Sequence, residues 1–287
     1  EAVSGFSSDD DVTVQNGSLA TMTTTDNITW TGTFTPSSDV EDATNVLTLA
    51  TSYTDTAGNA PASTSTTANY TVDTTAATVA AFTVSDTALK IGDTATVTLQ
   101  FSEAVSGFSS DDDVTVQNGS LATMTSSDNI TWTGTFTPSS GIEDAENVMT
   151  LATSYTDTAG NAGPSATTAN YQVDTVRPTV AAFTMSDTAL ISGETSTVTL
   201  QFSEAVANFS SDDDITVQNG SLATMTSSDN ITWTGTFTPS SGVEDSENIL
   251  TLATSYTDTA GNAPASTSTT DNYTVDTTAA TVESFTI

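Results

Sequence analysis

Carboxylates are the reactive groups this sequence offers. Of 287 residues, 36 are Asp or Glu and only Lys90 and Arg177 are basic, with no His and no Cys. That set leaves no imidazole or thiolate for a Ser-His-Asp or Cys-His nucleophile system, for a zinc site of the usual kind or for haem, and no disulfide framework. Clustered carboxylates can hold a hard cation, so any metal here must be bound by oxygen. The acids that stand out recur at constant separation. Glu103 and Asp157 lie 30 and 84 residues after Asp73, and Glu204 and Asp258 lie 30 and 84 residues after Asp174. Glu1, Asp55 and Asp276 occupy the same motif positions nearer the two ends of the sequence.

A formal net charge of −34 excludes nucleic acid as a partner, because phosphate neutralisation needs clustered Lys and Arg. It argues equally against anionic membrane surfaces and leaves polycations and divalent cations. No apolar run approaches the roughly 20 residues of a membrane span, so direct insertion of this segment is not expected. No signal peptide begins the sequence, which opens inside a motif that recurs later. The chain is therefore expected to be a window from something longer.

The elements that must position the acids repeat with them. The motif opening at Glu1-Ala2-Val3 returns at Glu103-Ala104-Val105 and Glu204-Ala205-Val206, a period of 102 and then 101 residues. That is too long for a solenoid unit and matches a self-sufficient domain. The expected units are a partial repeat at 1–73 lacking its first two strands, complete repeats at 74–174 and 175–276, and the first strand of a further repeat at 277–287. Within the second repeat the apolar period is two. Val97, Leu99 and Phe101 alternate with polar residues, and Ile130, Trp132, Gly134 and Phe136 share one face opposite a Thr ladder. Asn118-Gly119 suits a type I′ hairpin turn between strands at Val114–Val116 and Leu121–Thr125. With further strands around Val79–Val84, Val148–Tyr155 and Asn170–Val173, the pattern predicts seven strands and no helix. It is all-β: tandem immunoglobulin-like β-sandwiches arranged end to end.

The motif order FSEAV, DDVTV-NG-L, W-T-T-F-TP, DTAGN and NY-VDT, taken together, resembles the bacterial Ig-like repeats of giant surface adhesins, of the RTX and biofilm-associated extender type. The resemblance covers the whole chain. It implies an elongated bacterial extracellular stalk, commonly stiffened by calcium. Ala76-Ala77 and Ala279-Ala280 stand where the family often has Ala-Pro, while Arg177-Pro178 keeps the Pro.

Strand direction predicts which acids meet. Glu103 and Asp157 end upward-running strands at the top of their repeat, where the preceding repeat hands over Asp73. Asp174, Glu204 and Asp258 are related in the same way. Converging carboxylates repel unless protonated or cation-bound, and an oxygen cage at neutral pH suits Ca²⁺. Glu41-Asp42 and Glu143-Asp144 lie at the bottom of their repeats and are candidates to complete the shell. The competing reading is that the Asp before Ala-Gly-Asn is only an Asx-turn residue and the strand-closing Glu only solvated. Asp111-Asp112-Asp113 is read as a solvated loop or edge guard. Trp30, Trp132 and Trp233 are read as core rather than as a sugar platform. The Thr ladders are read as exposed strand faces rather than an ice-binding array, because a twisted sandwich is not flat. An isopeptide crosslink would need a Lys in each repeat, and Lys90 aligns with Ile191.

Near-identical copies favour a property that adds with number. The expected function is a non-catalytic extender with Ca²⁺ between repeats, each repeat adding about 40 Å. Its partners would be neighbouring repeats of the same chain and other copies of itself. A self-assembling filament or surface-layer subunit is the alternative. A ligand-binding module would need a pocket peculiar to one repeat, and halophilic adaptation would make monovalent salt replace Ca²⁺.

Overall fold

A computed structural model describes residues 1–287. In the second repeat one layer has the order Val79–Val84, Ala95–Phe101, Thr131–Pro138, Gly119–Leu121, all antiparallel. The central strand Ala95–Phe101 buries every second side chain, and Val97 and Leu99 are fully enclosed. In the facing layer Tyr171–Asp174 lies between Ala88–Leu89, its parallel partner, and the antiparallel Glu143–Asn147. Val114–Thr115, Thr150–Leu151 and Ala166–Thr167 pair into a separate short three-stranded sheet. The third repeat reproduces this arrangement from Val180–Met185 to Tyr273–Asp276.

Each complete repeat closes its own core. Val97, Leu99, Phe101, Phe136, Leu151, Tyr155 and Tyr171 belong to one cluster, and Val198, Leu200, Phe202, Phe237, Leu252, Tyr256 and Tyr273 to another. Trp132 packs edge-on against Phe108 with ring centroids 4.9 Å apart, a core side chain as expected. Residues 1–73 lack the counterparts of the first strands. Gly17–Leu19 and Phe34–Pro36 there form a two-stranded remnant beside an open apolar groove lined by Phe6, Trp30, Phe34 and Tyr53.

Five local expectations need correction. The Asn-Gly pair is not a type I′ hairpin: Asn118 has φ 52°, but Gly119 is not left-handed, and the strands on either side join different layers. Gly119 is required instead because a Cβ there would lie 2.2 Å from the Phe136 ring. The repeat is not helix-free, since Ser110–Asp113 forms one helical turn with copies at Ser8–Asp11 and Ser211–Asp214. Nor is the acid run uniformly solvated. Asp113 is 3% exposed, accepts the Ser109 N–H at 2.8 Å and binds the Ser154 hydroxyl, while Asp111 accepts from the Thr123 hydroxyl.

The strand expected at Val148–Tyr155 is split. Thr150–Leu151 pairs with Val114–Thr115, whereas Thr156–Asp157 pairs with Val105–Ser106, and just before them buried Asn147 donates its side chain to the Asp144 and Tyr171 carbonyls. Finally, 277–287 carries no strand, and Val282, Phe285 and Ile287 are exposed. A first strand becomes regular by pairing with the second strand of its repeat, and residues 1–287 contain no such partner for it.

Candidate metal centre at the repeat junctions

Each junction is assembled from three strand ends. The pairing of Val105–Ser106 with Thr156–Asp157 sets Val105 opposite Asp157 and brings Glu103 beside it. The upstream strand Tyr70–Asp73 delivers Asp73, which faces Glu41 in register. Asp73, Glu103 and Asp157 thereby place one carboxylate oxygen each within 4.8 Å of one another, and Asp174, Glu204 and Asp258 do the same. These are the two triads expected from spacing. Glu1 is exposed, Asp55 lies opposite Val3 at the top of the first repeat, and Asp276 ends the third repeat. These three join no such cluster, because each lacks an opposing repeat within residues 1–287.

The Asp of the Ala-Gly-Asn turn is held by its own loop. Asp157 is 1% exposed; its Oδ1 accepts the backbone N–H groups of Ala159, Gly160 and Asn161 at 2.8–2.9 Å, and its Oδ2 accepts Asn161 Nδ2 at 2.7 Å. Burial pushes this carboxyl up, but the Asn161 amide and the three backbone donors outweigh it and hold the group below the usual Asp range. The same turn forms around Asp55 with Asn59, without contact to any other repeat within residues 1–287. The Asx-turn reading is therefore correct as far as it goes, and Oδ2 of Asp157, which accepts only the Asn161 amide, keeps acceptor capacity to spare.

The Glu partners experience the opposite environment. Burial, then the charges of Asp157, Asp73 and Glu41, push Glu103 up. Burial, then Asp258, Asp174 and Glu143, push Glu204 up to about 7. Asp174 is also raised, by burial and by Asp258 and Glu143, against the N–H bond from Val176. Desolvated like charges are costly in their ionised form, and a cation removes that cost. The protein supplies none: Lys90 is paired with Asp93 at 3.0 Å, and Arg177 donates to the Ala263 carbonyl at 2.6 Å. An all-oxygen set of three acids from two domains fits a hard divalent ion, with carbonyl oxygens and water available to complete six to eight ligands.

Two features of the site differ from the expectation. Glu41 and Glu143 do face it, pairing across the sheet with Asp73 and Asp174, but Asp42 and Asp144 turn away to accept from Asn16 and Asn118. The missed residues are Asn161 and Asn262, whose Nδ2 atoms reach the carbonyls of Asp73 and Asp174 in the preceding repeat at 3.3 and 3.0 Å. The signal was the Asn four residues after each turn Asp, which reads as a turn residue in sequence alone.

The model of the bacterial Ig-like domain family matches residues 1–72, 73–173 and 174–275. Among curated proteins none matches. Among solved structures, the Escherichia coli adhesin FdeC is 14% identical over 93% of this chain and 85% of its own, with a TM-score of 0.39. The bacterial integrin-binding protein invasin is 16% identical over 84% of this chain and 48% of its own, with a TM-score of 0.35. The titin segment I67–I69 is 13% identical over 70% and 65%, with a TM-score of 0.38. No helix is long and apolar enough to cross a membrane. The chain belongs to the bacterial Ig-like domain family, in three consecutive copies.

Proposed function

We propose that this chain is a non-catalytic extender, a length of stalk in a bacterial cell-surface adhesin, in which Ca²⁺ held between consecutive repeats stiffens the rod. One observation carries the reading: the same three carboxylates, drawn from two repeats and unpaired by any base, converge at both junctions. Asp73, Glu103 and Asp157 hold one ion, and Asp174, Glu204 and Asp258 the other. When bound, the ion neutralises charges that otherwise push the repeats apart. It binds the aligned pair in preference to a bent one, so calcium in a hundredfold excess over its dissociation constant favours alignment by about 2.7 kcal/mol. An extracellular location follows, since millimolar calcium is found there, and a chain with no Cys needs no disulfide formation on export.

Small-angle X-ray scattering in millimolar Ca²⁺, and again in excess chelator at matched ionic strength, tests this. A rod that bends in chelator is the expected result, chiefly at the first junction, where Asn161 reaches the upstream carbonyl only at 3.3 Å. An unchanged profile removes calcium from the mechanism, and recovery by NaCl alone transfers the role to general charge screening. Growth with concentration would favour a self-assembling filament.

A further inference from the structure

The turn asparagine makes different contacts in the three repeats. Asn59, which faces no other repeat within residues 1–287, is exposed and bonds only its own Asp55. Asn161 adds contacts to the Asp73 and Thr75 carbonyls at 3.3 and 3.4 Å. Asn262 is 3% exposed and uses both ends of its carboxamide across the boundary. Its Nδ2 donates to the Asp174 carbonyl at 3.0 Å and to Asp258 Oδ2 at 2.8 Å, while its Oδ1 accepts the Ile91 N–H at 2.8 Å. Asp174 and Ile91 belong to the second repeat and Asp258 to the third, so one planar group joins two strand ends of one domain to the metal-facing carboxylate of the next. Arg177, aligned with Ala76 of the first junction, adds its bond to the Ala263 carbonyl immediately beyond Asn262.

We infer that Asn262 is a positioning residue: its carboxamide locks the orientation of the second and third repeats without a cation, and so presents Asp174 and Asp258 to each other before any ion arrives. Asn161 does the same more weakly at the first junction. A buried amide with donors and acceptor all engaged tolerates little rotation of either domain, because a tilt leaves enclosed polar groups unpaired. The inference rests on the junction being where the rod is stiffened, but it concerns the ion-free state and its test needs no calcium.

The absence of Cys lets spin labels be placed only where a Cys is introduced, here Thr135→Cys and Thr236→Cys, two exposed and equivalent positions. Pulsed electron–electron double resonance in excess chelator reads the distance distribution across the second junction. It is expected to be narrow with Asn262 present. Asn262→Ala should enlarge the population of other orientations about fivefold, the factor corresponding to one hydrogen bond of ordinary net strength. Asn59→Ala, which removes the same turn contact away from any junction, should leave the distribution unaltered. A narrow distribution in Asn262→Ala overturns the inference. So does a wild-type distribution that is broad in chelator and narrows only with calcium, an outcome that would leave the metal reading intact.

A second measurement needs no variant. The Ile91 amide in chelated wild-type protein should exchange slowly with deuterium, and free exchange there refutes the lock even if Asn262→Ala were to unfold the third repeat.

Discussion

Glu204 should make the ion-free third repeat lose stability as pH rises. Its carboxyl is raised from the ordinary 4.5 to about 7, first by burial and then by Asp258, Asp174 and Glu143. The folded state therefore keeps this proton to higher pH than the unfolded chain does. Below 4.5 both states are protonated and there is no penalty. Between 4.5 and 7 the unfolded chain ionises while the folded one does not, so stability falls with pH and the penalty is complete above 7. At 1.36 kcal/mol per pH unit the shift sets a ceiling of about 3 kcal/mol, and the solvent that still reaches this half-buried side chain reduces it to about 1 kcal/mol.

Urea unfolding followed by Trp233 fluorescence, in a Trp30→Phe/Trp132→Phe background and excess chelator, reads this dependence between pH 4 and 8. Glu204→Gln should flatten the slope and gain about 1 kcal/mol at pH 8. Saturating calcium should remove the loss in the wild type, leaving its slope as flat as the variant's. An identical pH slope in wild type and Glu204→Gln would show that Glu204 is not crowded by the triad, and the junction electrostatics argued above would fall with it.

Other consequences follow from the same geometry. Asp157→Ala strips the N–H groups of Ala159, Gly160 and Asn161 of their shared acceptor and should cost about 1 kcal/mol by chemical denaturation, together with calorimetrically detected calcium binding at the first junction. Asp55→Ala removes the same turn where no triad forms, so calcium stoichiometry should stay unchanged. Gly119→Ala drives a methyl into the Phe136 ring and the Thr137 carbonyl, and a loss of about 1–3 kcal/mol is expected in thermal unfolding. Trp132→Phe should be milder than its core position suggests, within about 1.5 kcal/mol, because the indole N–H is buried without a partner and its removal relieves a desolvation cost.

The near-exact repeat, the alternation along Val97-Leu99-Phe101 and the Trp-Gly-Phe face were sufficient to read an all-β chain of Ig-like sandwiches, because a buried strand face must be apolar at every second residue. The equal spacings of Asp73, Glu103 and Asp157 and of Asp174, Glu204 and Asp258 were enough to place these acids together, because antiparallel strands of similar length return their ends to the same side.

Other features required the tertiary structure. Asp113 lies in a run of three acids, and only the fold decides that it alone turns inward to the Ser109 N–H and Ser154 hydroxyl. Gly119 looks like a turn glycine until the Phe136 ring is packed over it. Asp42 and Glu41 are adjacent and chemically alike, yet strand alternation sends one to Asn16 and the other to the junction. Asn59, Asn161 and Asn262 share one motif, and what distinguishes them is whether a neighbouring domain stands opposite. Local sequence sets the turn and its hydrogen bonds, but a contact between domains depends on the orientation of two bodies, which no single segment encodes.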